Sequence, residues 1–511
     1  MNKLKNRIEK LKMLFKNNEE LKVRQFSAFK TKFALIYLES FADFDVISKD
    51  IIKPIIESNE DNENLSFKEL NKKKTQTKKE NIKKNESEIE NKFIEFIALK
   101  VLYASEVTTT KKEQEIVSKL TRGEKVLLVD NIEEVILINA KKLEKRTIVE
   151  PPNNNVVRGP REGFIEDINS NLNLIRKRLV TNDLKIETME IGRYTKTKVA
   201  VCYLTKIADL KVVKKIKEKL EKIDIDGIID SYYLQDYLEE HPTSIFKQIG
   251  FTEKPDMLVG KMLEGRVGII VDGSPMVLTL PFILMEDLQS PGDYYEENNS
   301  VTFVRMIRFL GIFIALTMPG IYISLQLYHY KALPLKFLVT IMNSSQNIPM
   351  PPAIEVLFTF FMFEILYEAS VRTPKSLGSS FNIIGALILG DTAVKSNLAS
   401  APTIMVVALS SIAIYLIPEG TNVLRLLRFA LTLMATILGV VGICVGLIFI
   451  VGYLCDFDSY GADYFAPWAP YLLNDFKDTF YKGNIINMKN RPKSLRPKNN
   501  IRQVIDNDTE K

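Results

Sequence analysis

The chain has 511 residues, 69 Lys and Arg against 63 Asp and Glu for a formal charge of +6, and a mean hydropathy of −0.01. That near-zero average joins two unlike regions: residues 1–300 are rich in lysine and glutamate, whereas 301–455 carry long apolar runs. Three cysteines, Cys202, Cys444 and Cys455, stand in no motif spacing, which argues against a disulfide scaffold or a zinc site.

Residues 1–25 predict a basic helix with Leu4, Ile8, Leu11 and Phe15 on one face, either lying on an anionic membrane surface or forming a solvated terminus. No apolar signal core follows the first methionine. With its excess of lysine, the long N-terminal region is therefore expected on the cytoplasmic side, and the basic balance reads as topology, not nucleic-acid binding. Residues 33–57 predict a strand running into a helix, completing an N-terminal soluble subdomain over 1–57. Residues 58–91, with KKKTQTKKENIKKN inside, hold too few apolar groups to offset ordering entropy and predict a flexible lysine-rich linker.

A second soluble α/β domain is expected over 92–300. Helix patterns at 92–104 and 111–119 precede strands at 125–130 (KVLLVD) and 134–140 (EVILINA). A helix over 162–180, a strand over 196–204 and an amphipathic helix over 208–223 follow. Residues 265–281 read as two β runs turning at Asp272-Gly273.

The fold class predicted is a multidomain membrane protein: mixed α/β soluble domains, then an all-α transmembrane domain of about five helices over 301–470, then a basic tail over 471–511. Residues 309–328, 396–418 and 429–455 are uncharged runs of 20, 23 and 27 positions. At 1.5 Å per residue the last exceeds a hydrocarbon core of about 30 Å. Pro319-Gly320 interrupts the first run and frees backbone groups that lipid cannot satisfy. Residues 333–352 read as interfacial or re-entrant; 353–371 and 376–394 complete the five. Five crossings from a cytoplasmic start put the tail outside, yet the residues after 472 hold nine Lys or Arg against five acids. Positive-inside bias pulls that tail to the cytoplasm, so an even number of crossings is needed, with 353–371 the suspect.

Four acids fall in the apolar runs. Glu355, Glu364 and Glu368 lie on one predicted helix, Glu364 and Glu368 sharing a face. A carboxylate at bilayer depth must be paired, hydrated or protonated. Two readings stand: a polar helix that lines or gates a path for ions or solutes, or an interfacial helix whose acids reach headgroup water or Arg372. Asp391 has the same two readings, with Lys395 as its partner. Gly439, Gly442 and Gly446 predict close helix packing along the last run. Arg425 and Arg428, one turn apart, read as anchors at its start. In the soluble part, Arg158 and Arg161 flank Gly159-Pro160, with Glu162 opening a helix. They either hold a phosphate or carboxylate or form a salt-bridge cluster with Glu162 or Asp167. His241 and His329 are isolated, and no nucleophile–histidine–acid set, metal cluster or cofactor fingerprint is found, so neither an enzyme nor a cofactor is expected.

Several stretches together resemble the A subunits of GerA-type spore germination receptors. They are EPPNNNVVRGPREGF (150–164), NSNLNLIRKRL (169–179), VDGSP (271–275), EDLQSPGDYY (286–295), PMPPAIEVL (349–357), FEILYEASVRTPKSLG (363–378), GALILGDTAVKSNLASAP (385–402) and LRLLRF (424–429). The resemblance implies an inner-membrane subunit of the spore's nutrient receptor. Its partners would be a transporter-like B subunit that senses the small-molecule germinant and a lipoprotein C subunit. It also implies an oligomeric, nutrient-gated ion channel, with Glu364 and Glu368 bordering the conduction path. A non-conducting scaffold that relays the B subunit's signal is the alternative. A secondary transporter fits less well, because no second half mirrors the first.

Overall fold

The computed structural model describes residues 3–61, 91–104, 106–139, 158–372 and 390–504. Two compact units emerge. One comprises Met1–Glu239, Ile249–Pro281 and Leu495–Asn500; the other comprises Glu240–Gln248, Phe282–Ser494 and Ile501–Lys511.

The first unit is built from two five-stranded antiparallel sheets. Its first half runs α1 (Lys3–Leu14), β1 (Leu21–Ala28), β2 (Thr31–Leu38), the helical segment α2 (Phe44–Val46, Ile47–Ile52 and Lys53–Asp61), β3 (Val107–Thr110), α3 (Glu113–Thr121), β4 (Lys125–Val129) and β5 (Val135–Ile138). The strand order is β1-β2-β4-β5-β3. The apolar run in β2 is explained by cover on both faces. Phe33, Leu35 and Tyr37 face a cluster that includes Ile51, Ile55 and Ile97, while Ala34, Ile36 and Leu38 face Leu4, Ile8, Leu11 and Leu120.

The second half repeats the first. It runs α4 (Ile168–Arg178), β6 (Leu184–Ile191), β7 (Thr197–Leu204), α5 (Leu210–Glu221), α6 (Ser231–Leu238), β8 (Gly250–Thr252), α7 (Pro255–Glu264), β9 (Val267–Val271) and β10 (Val277–Leu280). Its strand order, β6-β7-β9-β10-β8, is that of the first sheet. The match reaches single residues. Gly123 after α3 and Gly265 after α7 both have positive φ, and seven residues later come Asp130 and Asp272. Asp130 Oδ1 accepts from Leu4 N at the start of α1 (3.3 Å), and Asp272 Oδ1 from Ile168 N at the start of α4 (3.1 Å). Each aspartate's own N–H donates to the paired strand, at Lys32 O and Lys198 O respectively (both 2.9 Å). The next residue, Asn131 or Gly273, again has positive φ.

A buried ion pair joins the halves. Arg176 of α4 donates from Nε (2.9 Å) and Nη2 (2.5 Å) to Glu20 Oε2, with side-chain exposures of 0% and 3%. Ser40 also donates to Glu20, and Arg176 reaches Thr181 O and Leu184 O.

Three expectations for this region change. Residues 21–25 are strand, not helix, because α1 ends at Leu14 and Leu21 pairs with Leu38. The apolar face of α1 is buried against the first sheet, so it is not a membrane-surface helix. Strands before and after residues 58–91 share one sheet, so the boundary expected there falls inside a domain; the linker itself, apart from its ends, lies outside the described residues.

The second unit is helical: α8 (Asn298–Leu327), α9 (Leu335–Ser345), α10 (Pro352–Arg372), α11 (Ala401–Ile414), α12 (Thr421–Leu438) and α13 (Val440–Asp456). The C-terminal region is thus all-α, with apolar helices of membrane length. Asn298–Leu327 and Pro418–Leu438 are long and apolar enough to cross a membrane, and α11 and α13 are shorter apolar helices. Many outward positions are apolar, with Ile437, Ile448 and Phe449 all more than 70% exposed, as lipid contact requires.

The 27-residue run is not one helix. It breaks at Gly439, whose φ of 63° and ψ of −142° suit glycine alone, and α13 folds back along α12. A Cβ on Gly442 would overlap the Met434 carbonyl, and one on Gly446 would overlap Leu431. Helices of 18 and 17 residues are each about 26 Å long, close to one hydrocarbon thickness. Side-chain contacts give the directions. Tyr328 at the end of α8 donates to the Thr436 carbonyl at the end of α12 (2.7 Å), so these two helices are parallel. Ser410 of α11 meets Ala315, and Thr403 meets Tyr322, so α11 opposes α8. Along α10, Glu355 meets Ser400 and Tyr367 stacks on Tyr415 (5.6 Å), so α10 runs with α11 over its full length.

The hairpin returns the chain to the end where α8 begins. There Arg305 is held by Asp293 (3.1 Å) and Asp478 (2.9 Å), Arg308 by Asp293 (2.7 Å), and Phe309 stacks on Phe480 (4.0 Å). The tail beyond α13 therefore lies beside the first arginines of α8. The turn at Gly439 divides the 429–455 run into two antiparallel helices and brings the basic tail back to the end where α8 begins, with α10 running beside α11 and not stopping short. Of the expected span 376–394, residues 376–389 lie outside the described residues.

Removing one partner of a buried ion pair leaves an uncompensated charge, at a cost of about 3–5 kcal/mol. Arg176→Ala is expected to speed amide exchange in β1 and β6 of the full-length protein by roughly a hundredfold or more. Hydrogen–deuterium exchange with mass spectrometry of peptides 21–28 and 184–191 checks it.

Candidate functional site

A sequence of polar contacts threads the helical unit. At one end Glu355, 1% exposed, accepts from Ser400 N (2.6 Å) and Ser400 Oγ (2.7 Å). Ser400 is the N-cap of α11, so the carboxylate sits at a helix N-terminus, where charge and donors favour it. The network continues from Ser400 to Thr403 (2.9 Å) and from Thr403 to the Tyr322 hydroxyl (3.2 Å).

At mid-bundle Pro319 lacks the N–H that would bond Ala315 O, and Ser410 Oγ donates to that carbonyl instead (2.9 Å). Gly320 lets α8 approach Ala435 and Ile443. Ser410 also receives Arg428 Nη1 (3.4 Å), which bonds Ser411 (2.9 Å) while the guanidinium lies 4.3 Å from the Phe360 ring centre. A cation at the centre of a membrane helix costs about 3 kcal/mol. A desolvated cation–π contact returns about 2 kcal/mol, and the two hydrogen bonds offset the rest.

Nearer the other end, Arg425 donates to Glu364 (2.7 Å) and Asn422 (2.7 Å) and stacks over Tyr367 (4.3 Å). A cleft of about 380 Å³ opens between α10 and α12 beside Glu364, Arg425 and Arg428, bordered by the exposed Phe361 and Leu426.

The four acids are thus not one site. Glu355 is buried, Glu364 is half-exposed in the cleft, and Glu368 pairs with Arg372 (2.7 Å) on the outer face of α10. Asp391 pairs with Lys395 (2.5 Å), also exposed. Arg425 and Arg428 sit within α12 and do not precede it: the first binds an acid of α10, and the second turns into the core. Among the glycines, Gly442 and Gly446 pack α13 on α12, while Gly439 makes the turn. Sequence reasoning missed the inward role of Arg428 because arginines near a span start look like interfacial anchors. Ser410 and Ser411, one helix away, were the available signal.

In the first unit Glu162 does not open a helix: α4 begins at Ile168, capped by Asp167, whose Oδ2 accepts from Ser170 N (2.8 Å). Glu162 pairs with Lys177 (2.9 Å) and Arg178 (2.5 Å), while Arg158 and Arg161 stand exposed on the loop. Burial raises the Glu162 pKa, but the hydrogen bonds from Lys177 and Arg178 outweigh it and leave it below its usual value. Residues 150–157 lie outside the described residues. Among the described residues no group of three or more His, Cys, Asp or Glu is placed to hold a metal ion.

Residues 9–494 match a family model described as Bacillus/Clostridium GerA spore germination protein. The chain belongs to the GerA family. Spore germination protein B1 of Bacillus subtilis is 32% identical over 98% of this chain and 99% of its own length. Uncharacterized membrane protein YfkQ of the same organism is 35% identical over 76% of this chain and 77% of its own. The crystal structure of the N-terminal domain of the A subunit of the Bacillus megaterium spore germinant receptor GerK3 is 27% identical, covers 54% of this chain and 94% of that one, and gives a TM-score of 0.37. The GerA-like stretches meet one another in the fold: PMPPAIEVL supplies Glu355 to the Ser400 of SNLASAP, and FEILYEASVR supplies Glu364 to the Arg425 of LRLLRF.

Ser410 serves the Pro319 break and Arg428 together, whereas Ser411 serves Arg428 alone. Ser410→Val is expected to cost about 1–3 kcal/mol and Ser411→Val less. Thermal melts of the two variants in one detergent check the order.

Proposed function

We propose that this GerA-family chain is the A subunit of a nutrient germinant receptor in the spore inner membrane, where it assembles as a homo-oligomer into a germinant-gated ion channel. In this reading a transporter-like B subunit senses the small-molecule germinant, a lipoprotein C subunit completes the receptor, and α10 faces the conduction path.

The observation that carries it is the outer face of α10. Glu364, Glu368 and Arg372 have side chains 44%, 58% and 80% exposed, on a bundle whose other outward positions are mainly Leu, Ile, Val and Phe. Charges are expensive against lipid and stable against water or a protein neighbour. Repetition of this helix around an oligomer would give a ring of carboxylates, each beside an arginine, and rings of charged side chains line ion paths. A non-conducting subunit using the same face to hold the B subunit is the competing reading, since the cleft around Glu364 also carries apolar residues.

Ion flux into liposomes distinguishes them. The A subunit, alone or with its partners and germinant, is expected to pass monovalent cations. Glu368→Gln should reduce that flux severalfold, and Glu364→Gln should reduce it while also freeing Arg425. No flux in any combination contradicts the channel; flux unchanged by both substitutions removes this face from the path.

A further inference from the structure

A second cleft, of about 290 Å³, lies wholly within the helical unit on the opposite side of α12 from Glu364. Its walls include Phe309 and Leu316 of α8, Leu427 of α12, Leu454 of α13 and Trp468 beyond it, and they are almost entirely apolar. Its charged residues are Lys247, Asp287 and Glu419. Lys247 Nζ lies 3.2 Å from Asp287 and 2.5 Å from Glu419, so one cation meets two carboxylates, and Glu286 adds to the negative field. Burial raises the Asp287 pKa above its usual range; the neighbouring Lys247 ammonium works against this, and Glu419 and Glu286 add to it.

We propose that this cleft binds a single-chain amphiphile with a cationic amine head, its apolar body among the aromatic and leucine side chains and its ammonium at Asp287 and Glu419. Size and charge support that occupant over others. A dry cavity of about 150 Å³ takes a benzene ring, so this one takes roughly a dozen carbon atoms, too few for the two chains of a bilayer phospholipid. A carboxylate or phosphate head would meet a net negative group, whereas an ammonium would complete the charge balance that Lys247 leaves short.

Trp468 is the chain's single tryptophan and borders the cleft, so its fluorescence reports occupancy. The test uses the full-length protein in phosphatidylcholine nanodiscs, with 10-bromodecylamine, 10-bromodecanol and 10-bromodecanoate as contact quenchers. Saturable quenching by the amine is expected at concentrations at least tenfold below those needed for the carboxylate. The double variant Asp287→Asn/Glu419→Gln leaves Lys247 as the charge in the cleft and should reverse that order. Leu447→Phe, which fills the cavity without touching the charges, should weaken quenching by all three probes, and this second variant keeps the test decisive should the charge variant fail to fold. Quenching that rises linearly with every probe and is the same in all variants, as partition into lipid alone would give, overturns the proposal. So does a carboxylate that binds the wild type as well as the amine.

Discussion

An ionised side chain at bilayer depth must be turned into the protein or toward water, and the helical half of this chain is arranged around that constraint. Arg428 points inward onto Phe360 and the hydroxyls of Ser410 and Ser411; Glu355 points inward onto the N-terminus of α11. These contacts fix which faces of α10, α11 and α12 meet, leaving aliphatic and aromatic side chains outside. The charges that remain on the outer face of α10 are the exception, where Glu368 pairs with Arg372 and Glu364 with Arg425.

Backbone follows the same logic. Pro319 would leave a carbonyl unsatisfied in lipid, and Ser410 of α11 supplies the missing donor. Gly439 supplies the opposite device, a chain reversal in one residue, so that two helices of hydrocarbon length need no polar loop between them. The first unit has a different economy. In each half an aspartate after the fourth strand, Asp130 or Asp272, accepts from a backbone N–H at the start of the opening helix, and one buried Arg176–Glu20 pair ties the two copies together.

Much of the strand and helix pattern was legible from periodicity: β2, β4, β5, β7, α5 and the turn at Gly273 fall where alternation and turn residues put them. The duplication was not. Its clearest trace, GEKVLLVDN against GRVGIIVDG, is nine residues in a repeat of well over a hundred, and the intervening helices differ. The break at Gly439 was hidden because hydropathy is the same on both sides of it, and glycine in an apolar run fits close packing as well as a turn. What was legible there was the conflict between a basic tail and an odd number of spans. For the site, sequence could name Glu355, Glu364, Glu368 and Asp391 as expensive charges, and Arg372 and Lys395 as the partners of the last two, but not the partners of Glu355 and Glu364. Ser400, Arg425 and Lys395 lie 45, 61 and 4 residues away, and only the last is within reach along a helix.

The hairpin at Gly439 carries the topology and thereby the side of the membrane on which the tail lies. Its direct test is labelling of single cysteines by a membrane-impermeant maleimide in sealed vesicles, with Cys202, Cys444 and Cys455 replaced. Ile437→Cys and Asp458→Cys are expected to react from opposite sides, with Asp458→Cys on the same side as Asn298→Cys. Labelling of Asp458→Cys and Asn298→Cys from opposite sides would mean that residues 429–455 cross once as a single helix, and would contradict the account.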